Sequence, residues 1–213
     1  MTQQLAPRTS SQAPSADPSP ARPTHPGAHI ADPGALGTAA FALTTFVLSI
    51  FNAGLLPVTL EPVVFGLALF YGGAVQLIAG VFEFLKGATF GALAFASYGG
   101  FWMSFWYYVT FVSPTLPKES AHLATGVFLL AWTIFTSFML IASSKVHRAM
   151  FLLFGLLFIT FVLLTIGALG GVVLATRIGG FFGLVTALVA WYLSAASVIS
   201  STFGRDVLPL GKF

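Results

Sequence analysis

The sequence predicts an all-α membrane protein with six transmembrane helices. Hydrophobic residues make up 57% of the chain and charged residues 7%, whereas a typical soluble domain carries about 25% charged residues. Six apolar stretches follow one another between residues 34 and 203, and about 20 apolar residues are enough to cross the hydrocarbon core of a bilayer. Such a chain is expected to fold in lipid and not in water. The charged residues of this region lie in the gaps between the stretches or near their ends: Glu61, Glu83, Lys86, Lys118, Glu119, Lys145, Arg148 and Arg177.

The predicted spans are separated by segments rich in turn-forming residues. Pro57 and Pro62 flank the first gap, residues 113–120 (SPTLPKES) form the third, and residues 144–148 form the fourth. Irregular backbone is expected only in these gaps, because an unpaired peptide group in lipid costs several kcal/mol. We therefore place the six spans at residues 36–51, 63–84, 90–112, 122–143, 149–174 and 179–202.

The first 30 residues are expected to form a disordered cytoplasmic tail ahead of a six-span transporter domain, residues 31–213. The tail is rich in Pro, Ser and Ala and has no apolar periodicity, so it cannot bury enough surface to offset the entropy lost on ordering. It also lacks the basic start and apolar core of a signal peptide.

The basic residues predict that both termini lie in the cytoplasm. Cytoplasmic loops of membrane proteins carry an excess of Lys and Arg, and an even number of spans leaves both termini on one side. Lys118 and Arg177 fall on one side of the predicted membrane. The expected location is therefore the plasma (inner) membrane, with seven basic residues on the cytoplasmic side: Arg8, Arg22, Lys86, Lys145, Arg148, Arg205 and Lys212.

Several classes of function find no support in the residues. The chain has no Cys, which excludes disulfides, Cys-ligated zinc and Cys nucleophiles. His122 and His147 are far apart in sequence, and we find no metal-ligand cluster, no paired intramembrane carboxylates and no Ser/His/Asp set. We therefore expect no enzyme activity, no cofactor and no metal. The net charge of +3 is scattered over loops and tails, so no nucleic-acid partner is expected either.

Two polar residues of the second span are candidates for a functional site. Gln76 and Glu83 are seven residues apart and share one helix face. A polar side chain in hydrocarbon is expensive and indicates a functional role, although an interhelical hydrogen bond is an alternative for Gln76. For Glu83 we favour an ion pair with Lys86 three residues later over a protonatable group at a pore exit. The same span contains a seven-residue glycine repeat that predicts one close-packing face, with a pore made possible by glycine as the alternative: Gly66, Gly73, Gly80 and Gly87.

Two further polar residues stand in or beside spans. Asn52 at the end of the first span either caps the helix or lines a vestibule. Tyr98 lies within the third span, away from the expected interfaces, whereas its neighbour Trp102 is better attributed to an interfacial aromatic belt. No Lys or Arg lies deep in a span. A carboxylate substrate would therefore cross by hydrogen bonding to neutral groups, or together with its proton.

Two segments carry a resemblance to a known family. Residues 70–102 (FYGGAVQLIAGVFEFLKGATFGALAFASYGGFW) and 203–211 (FGRDVLPLG) resemble the YaaH-type acetate/succinate transporter family, and the resemblance extends over about residues 32–211. It implies a six-span fold similar to that of urea channels, assembled as a homo-hexamer with one pore through each protomer. It also implies transport of acetate and succinate coupled to protons.

The resemblance also implies particular pore residues. The family begins its first span with Asn-Pro-Ala-Pro-Leu-Gly-Leu and a following Phe, whereas residues 32–38 here read DPGALGT. Asp32 takes the place of the Asn, and an acid at this cytoplasmic mouth either repels an anion or helps carry a proton. The Phe, Tyr and Leu that narrow the family's pore fall by motif position on Phe41, Tyr98 and Leu157, which implies a dewetting constriction.

The predicted function is therefore proton-coupled transport of acetate, and of succinate, across the plasma membrane. Gln76 and Asn52 are expected to offer hydrogen bonds along the substrate path, and Asp32 and Glu83 are expected on the same path near its cytoplasmic end. A urea or small-amide channel of the same architecture is the nearer alternative, since a passive pore would conduct a neutral solute without a proton gradient. An intramembrane enzyme or a non-transporting structural protein is the more distant one.

Overall fold

Helices occupy all six predicted spans. The structure, a computed structural model, describes residue 27 and residues 29–211, so the predicted tail lies outside the described residues except for its last few positions. The second span is two α-helices joined by a π-helical segment, Phe70–Val75. The α-helices in chain order are α1 (Gly34–Asn52), α2 (Val63–Leu69), α3 (Gln76–Lys86), α4 (Thr89–Tyr107), α5 (Ala121–Ser143), α6 (Arg148–Gly170) and α7 (Val173–Phe203).

Five of the six spans are long and apolar enough to cross a membrane by length and composition: Gly34–Asn52, Val63–Lys86, Ala121–Ser143, Arg148–Gly170 and Val173–Phe203. The remaining span is α4, whose Ser, Gly, Tyr and Trp residues lower its hydropathy. This helix continues without a break into a second π-helical segment, Tyr108–Val112. It thereby reaches the end of the predicted third span, and the all-α membrane fold is confirmed.

The turn between the last two spans is not where the sequence predicted it. The predicted gap, residues 175–178, lies inside α7, and the chain reverses instead at Gly171, which adopts a left-handed φ of 64°. Glycine reaches this conformation without the steric penalty of a side chain and commonly ends helices. Apolar residues continue past the turn, so the hydropathy pattern does not reveal it. Arg177 is consequently a residue of α7 and not of a loop.

The glycine repeat of the second span does not form one packing face, contrary to the prediction. Gly80 lies against Ala96 of α4, and Gly73 lies against Met103 of the same helix. Gly66 and Gly87 have open space where a side chain would be. The π-helical segment separates Gly66 from the later glycines, which changes the face it presents, and Gly87 is the left-handed cap of α3.

Both described ends of the chain lie at the same end of the helix bundle. The backbone N–H groups of Arg148 and Ala149, where α6 begins, donate to the carbonyl oxygens of Gly211 and Leu210 at 2.9 and 3.0 Å. Leu210 lines the same cavity as Asp32, which precedes α1. The outward helix faces carry exposed apolar side chains, as a surface covered by lipid requires.

Candidate functional site

Three spaces inside and beside the helix bundle follow one another from one end of α1 to the other. The first cavity, of about 450 Å³, begins at Asp32 and ends at Phe41 and Leu157. The second cavity, of about 240 Å³, shares Phe41 and Leu157 with the first and ends at Asn52. A groove of about 590 Å³ shares Asn52 with the second cavity and is also lined by Arg177. The three spaces therefore form one series along α1, termed the path, in which each space shares lining residues with the next.

The three predicted constriction residues lie close together between the two cavities. Phe41, Tyr98 and Leu157 are all buried and belong to one core cluster. The rings of Phe41 and Tyr98 are 5.8 Å apart between centroids. Phe41 and Leu157 line both cavities, whereas Tyr98 lines only the first. Bulky apolar side chains therefore occupy the junction between the two cavities.

The hydroxyl of Tyr98 donates its proton to a hydrogen bond inside the protein. The hydroxyl of Thr136 donates to the carbonyl oxygen of Trp132 at 2.7 Å, and its oxygen lies 2.9 Å from Tyr98 Oη. A threonine hydroxyl has one proton, so Tyr98 is the donor in the second bond. Tyr98 Oη keeps lone pairs and acts toward the cavity as an acceptor, which suits a protonated acid and not a carboxylate.

The first cavity contains both polar residues predicted on the second span. Gln76 is only 1% exposed, and its Oε1 has no hydrogen-bond partner among the described residues. Glu83 is also buried, and its carboxylate lies where the first turns of α1 and α4 approach each other, next to Gly34 and Gly91. These two side chains therefore present an amide and a carboxylate to the same space.

The predicted ion pair between Glu83 and Lys86 is wrong. Glu83 points into the cavity, and Lys86 Nζ instead lies 3.3 Å from Oδ1 of Asp32. The other carboxylate oxygen of Asp32 accepts a 2.6 Å hydrogen bond from the hydroxyl of Ser197, and the Gly34 backbone N–H donates to Oδ1 at 3.2 Å. Burial alone would raise the pKa of Asp32, but these hydrogen bonds and the Lys86 charge outweigh it and hold that pKa below its ordinary value. Asp32 is thus an ionised acid at the cavity mouth.

Comparison with known proteins identifies the family. Residues 15–210 match the GPR1/FUN34/yaaH family. The chain belongs to this family. It is 45% identical over 174 residues to Accumulation of dyads protein 2 of Saccharomyces cerevisiae, over 79% of this chain and 61% of the yeast protein. It therefore spans less than two thirds of that relative's length. The resemblance inferred from the sequence is confirmed.

The chain covers nearly the whole length of a bacterial relative and of a solved structure. The chain is 36% identical over 185 residues to the succinate-acetate/proton symporter SatP of Escherichia coli, over 86% of this chain and 96% of SatP. The structure of the bacterial acetate channel SatP matches with a TM-score of 0.80 at 35% identity, over 85% of this chain and 99% of the channel chain. The fold of this GPR1/FUN34/yaaH protein is therefore that of the channel.

Sequence reasoning missed several residues that line the path of this GPR1/FUN34/yaaH chain. Trp102, attributed to an interfacial belt, is instead 2% exposed and lines the second cavity, together with Thr45 and Glu61. Trp102 follows Tyr98 by one helical turn, and Thr45 follows Phe41 by one turn. This spacing was the available signal, because residues four apart share a helix face. Glu61 lies in the loop before α2, and burial raises the pKa of its carboxyl.

His147 also lines the first cavity, although its position in the chain suggested only a loop. Its Nδ1 accepts the backbone N–H of Met150 at 3.0 Å, so the imidazole caps the start of α6. Burial lowers the pKa of His147, which favours the neutral ring that this cap requires. His147 therefore adds no fixed positive charge to the cavity near neutral pH.

Proposed function

We propose that this protein transports acetate, and also succinate, together with protons through a pore inside each protomer. The observation that carries the proposal is the pair of cavities that meet end to end at Phe41 and Leu157. Support comes from the relatives, since the one from Escherichia coli is named a succinate-acetate/proton symporter. We infer transport and not catalysis, because the bacterial relative is named a symporter and the matching solved structure a channel.

The chemistry of the first cavity favours passage of the protonated acid. Among the described residues that line the two cavities there is no Lys or Arg, and an unpaired carboxylate in an apolar space is strongly disfavoured. Tyr98 Oη and Gln76 Oε1 are instead acceptors that can receive the O–H of an acetic acid molecule. One proton crosses with each acetate in this scheme, and a proton gradient drives uptake.

The first cavity faces the cytoplasm in this proposal. Lys86, Lys145 and Arg148 lie at the end of the bundle where this cavity opens, and such residues favour the cytoplasmic side. Asp32 and Leu210 line this same cavity, so both termini are assigned to the cytoplasm of a cell whose plasma membrane holds the protein. We also propose a homo-hexamer, whose protomers would cover part of the exposed apolar surface of the helices. Native mass spectrometry in detergent tests the hexamer, and a monomer would contradict it.

Uptake of labelled acetate into proteoliposomes, with and without an inward proton gradient, tests the transport proposal. Saturable uptake that rises with the gradient, and that succinate but not urea inhibits, is expected. Replacing Leu157 with Ala should widen the constriction and weaken selectivity for acetate over larger carboxylates. Leu163→Ala on the same helix, outside both cavity linings, is the matched control. Fast urea flux with no acetate uptake would instead indicate the small-amide channel.

A further inference from the structure

We propose that the segment after α7, residues 205–211, is a strap that limits the size of the acid passing the mouth of the first cavity, with Leu210 as the limiting side chain. This inference rests on the proposed transport function and adds to it a size limit separate from the constriction at Phe41 and Leu157. Acetate passes beside the strap in this scheme, whereas succinate passes only when the strap moves aside.

The strap begins at a fixed turn and runs back along α7. This helix holds 31 residues, whereas its antiparallel neighbour α6 holds 23, so the end of α7 extends past the start of α6. Gly204 ends α7 in a left-handed conformation with a φ of 66°. The backbone N–H groups of Arg205 and Val207 then donate to the carbonyl oxygen and to Oγ of Ser200 at 3.2 and 3.3 Å. These bonds keep the beginning of the strap on the last turns of α7.

The far end of the strap is held by hydrogen bonds that water can replace. The first two backbone N–H groups of α6 donate to the carbonyl oxygens of Gly211 and Leu210 at 2.9 and 3.0 Å, and Tyr192 Oη donates to that of Pro209 at 2.6 Å. The N–H groups at the start of a helix have no partner within the helix, and water satisfies them where no other acceptor is present. The far end can therefore detach without leaving a buried polar group unpaired, while the beginning stays on α7.

Leu210 is the residue that brings the strap to the cavity. It lines the first cavity and packs half-buried against the core cluster, whereas the other described residues of the strap line neither cavity. Asp32 lines the same cavity, and its side chain is 51% exposed, so the mouth is open to solvent beside it. Lys86 and Ser197 hold Asp32 in place. Of these two residues at the mouth, Leu210 is therefore the one on a displaceable segment.

The length of the solute decides whether the strap must move. Succinic acid carries a second carboxyl group at the far end of a longer chain, so one end still lies at the mouth while the other is inside the first cavity. Acetic acid is short enough to pass Leu210 before it reaches the next polar group. One neutral hydrogen bond shifts an equilibrium by about two- to tenfold. The three bonds at the far end therefore favour the closed strap without locking it.

A disulfide that fixes the strap to α6 tests the proposal directly. The chain has no Cys, and a side chain at position 211 would place its Cβ 3.1 Å from that of Arg148, close to the separation of about 3.5–4.5 Å found in disulfides. Uptake of labelled acetate and of labelled succinate is measured in proteoliposomes with the double variant Arg148→Cys, Gly211→Cys, first oxidised and then reduced with dithiothreitol. Oxidation should abolish succinate uptake and leave acetate uptake unchanged, and reduction should restore succinate uptake. Equal succinate uptake in both forms, with disulfide formation verified by mass spectrometry, overturns the proposal.

The two single variants are the controls for the disulfide. Arg148→Cys reports the effect of the lost positive charge. Gly211→Cys reports the strain of a side chain at this position, whose φ of 72° favours glycine. Neither single variant can form the disulfide within the chain, so dithiothreitol should change the uptake of neither acid. A response to dithiothreitol confined to the double variant therefore comes from the strap.

Truncation of the strap's side chains provides a second, independent test. Leu210→Ala should raise the ratio of succinate to acetate uptake, whereas Val207→Ala should not, because Val207 is exposed on the same strap and lines neither cavity. Tyr192→Phe removes one bond from the strap and should raise the ratio about twofold, the lower end for one hydrogen bond, because Tyr192 is 36% exposed. An unchanged ratio in Leu210→Ala with wild-type acetate uptake refutes the size limit alone. Absence of acetate uptake in the wild type refutes the transport function itself.

Discussion

Replacing Gln76 with leucine is expected to make the protein more stable and a poorer transporter. The side chain is 1% exposed, and its Oε1 has no partner among the described residues. Leucine has a similar size and no polar atoms, so it fills the same space without a buried acceptor. The proposed function uses this acceptor to receive the O–H of the permeating acid.

The expected magnitudes follow from the hydrogen-bonding state of the amide. An unsatisfied buried acceptor costs about 1–3 kcal/mol, so Gln76→Leu should raise the free energy of unfolding by up to about that amount. A neutral hydrogen bond contributes about 0.5–1.5 kcal/mol, and each 1.36 kcal/mol is a factor of ten in rate. Loss of one such bond along the path should therefore lower kcat/KM for acetate by about two- to tenfold.

Thermal unfolding in detergent and acetate uptake in proteoliposomes are measured on the same preparations. Thr133→Val is the control, because the Thr133 hydroxyl is bonded to Leu129 and Thr165 at 2.9 and 3.0 Å and lines neither cavity. That variant should lose stability and keep its flux, the opposite pattern. A Gln76→Leu protein with lower stability and wild-type uptake would show that the amide is a structural group, and would refute its place on the path.

Three further outcomes test the polar groups along the path. Tyr98→Phe should lower the free energy of unfolding by about 1 kcal/mol, because the bond to Thr136 is lost; unchanged thermal unfolding would show that this bond does not stabilise the fold. Asp32→Asn should raise the ratio of succinate to acetate flux, because a negative charge at the mouth opposes a dianion more than a monoanion; an unchanged ratio would place Asp32 off the path. Burial raises the pKa of Glu61, so the folded protein keeps a proton that the unfolded chain has lost. The resulting stability is complete below the ordinary Glu pKa and disappears as pH rises through the raised pKa. Glu61→Gln should therefore raise the melting temperature at pH 8 but not at pH 4. Glu119 is exposed, so Glu119→Gln should leave the melting temperature unchanged at both pH values.

The sequence was sufficient for the spans, and it predicted three constriction residues on a separate argument. Spans follow from hydropathy, because the bilayer imposes both length and composition. Phe41, Tyr98 and Leu157 came from motif positions shared with a family, and the structure places them at one junction. Neither argument needed knowledge of how the helices are arranged around one another.

Interactions between distant segments were beyond sequence reasoning. Lys86 has an acid three residues before it, but its partner Asp32 comes from 54 residues earlier in the chain, because α3 turns Glu83 toward the cavity. Trp102 looked like an interfacial residue since its neighbours are aromatic, and only the packing of α4 inside the bundle shows that it is buried. The turn at Gly171 was not predicted, because apolar residues lie on both sides of it and the hydropathy pattern shows no gap there.

The π-helical segment Phe70–Val75 sets which way the second half of the second span faces. Gly72 lies against Thr44 of α1, and Gly73 lies against Met103 of α4, so the wide turn fits between two helices. A π-helical turn holds more residues than an α-helical turn, so the segment takes up one extra residue locally. The same residues wound as a regular helix would rotate everything after them by about 100°, the turn of one residue, and would carry Gln76 and Glu83 toward the lipid. A variant that regularises this helix at constant length should therefore lose transport, whereas deletion of one residue in the segment should keep both side chains facing the cavity.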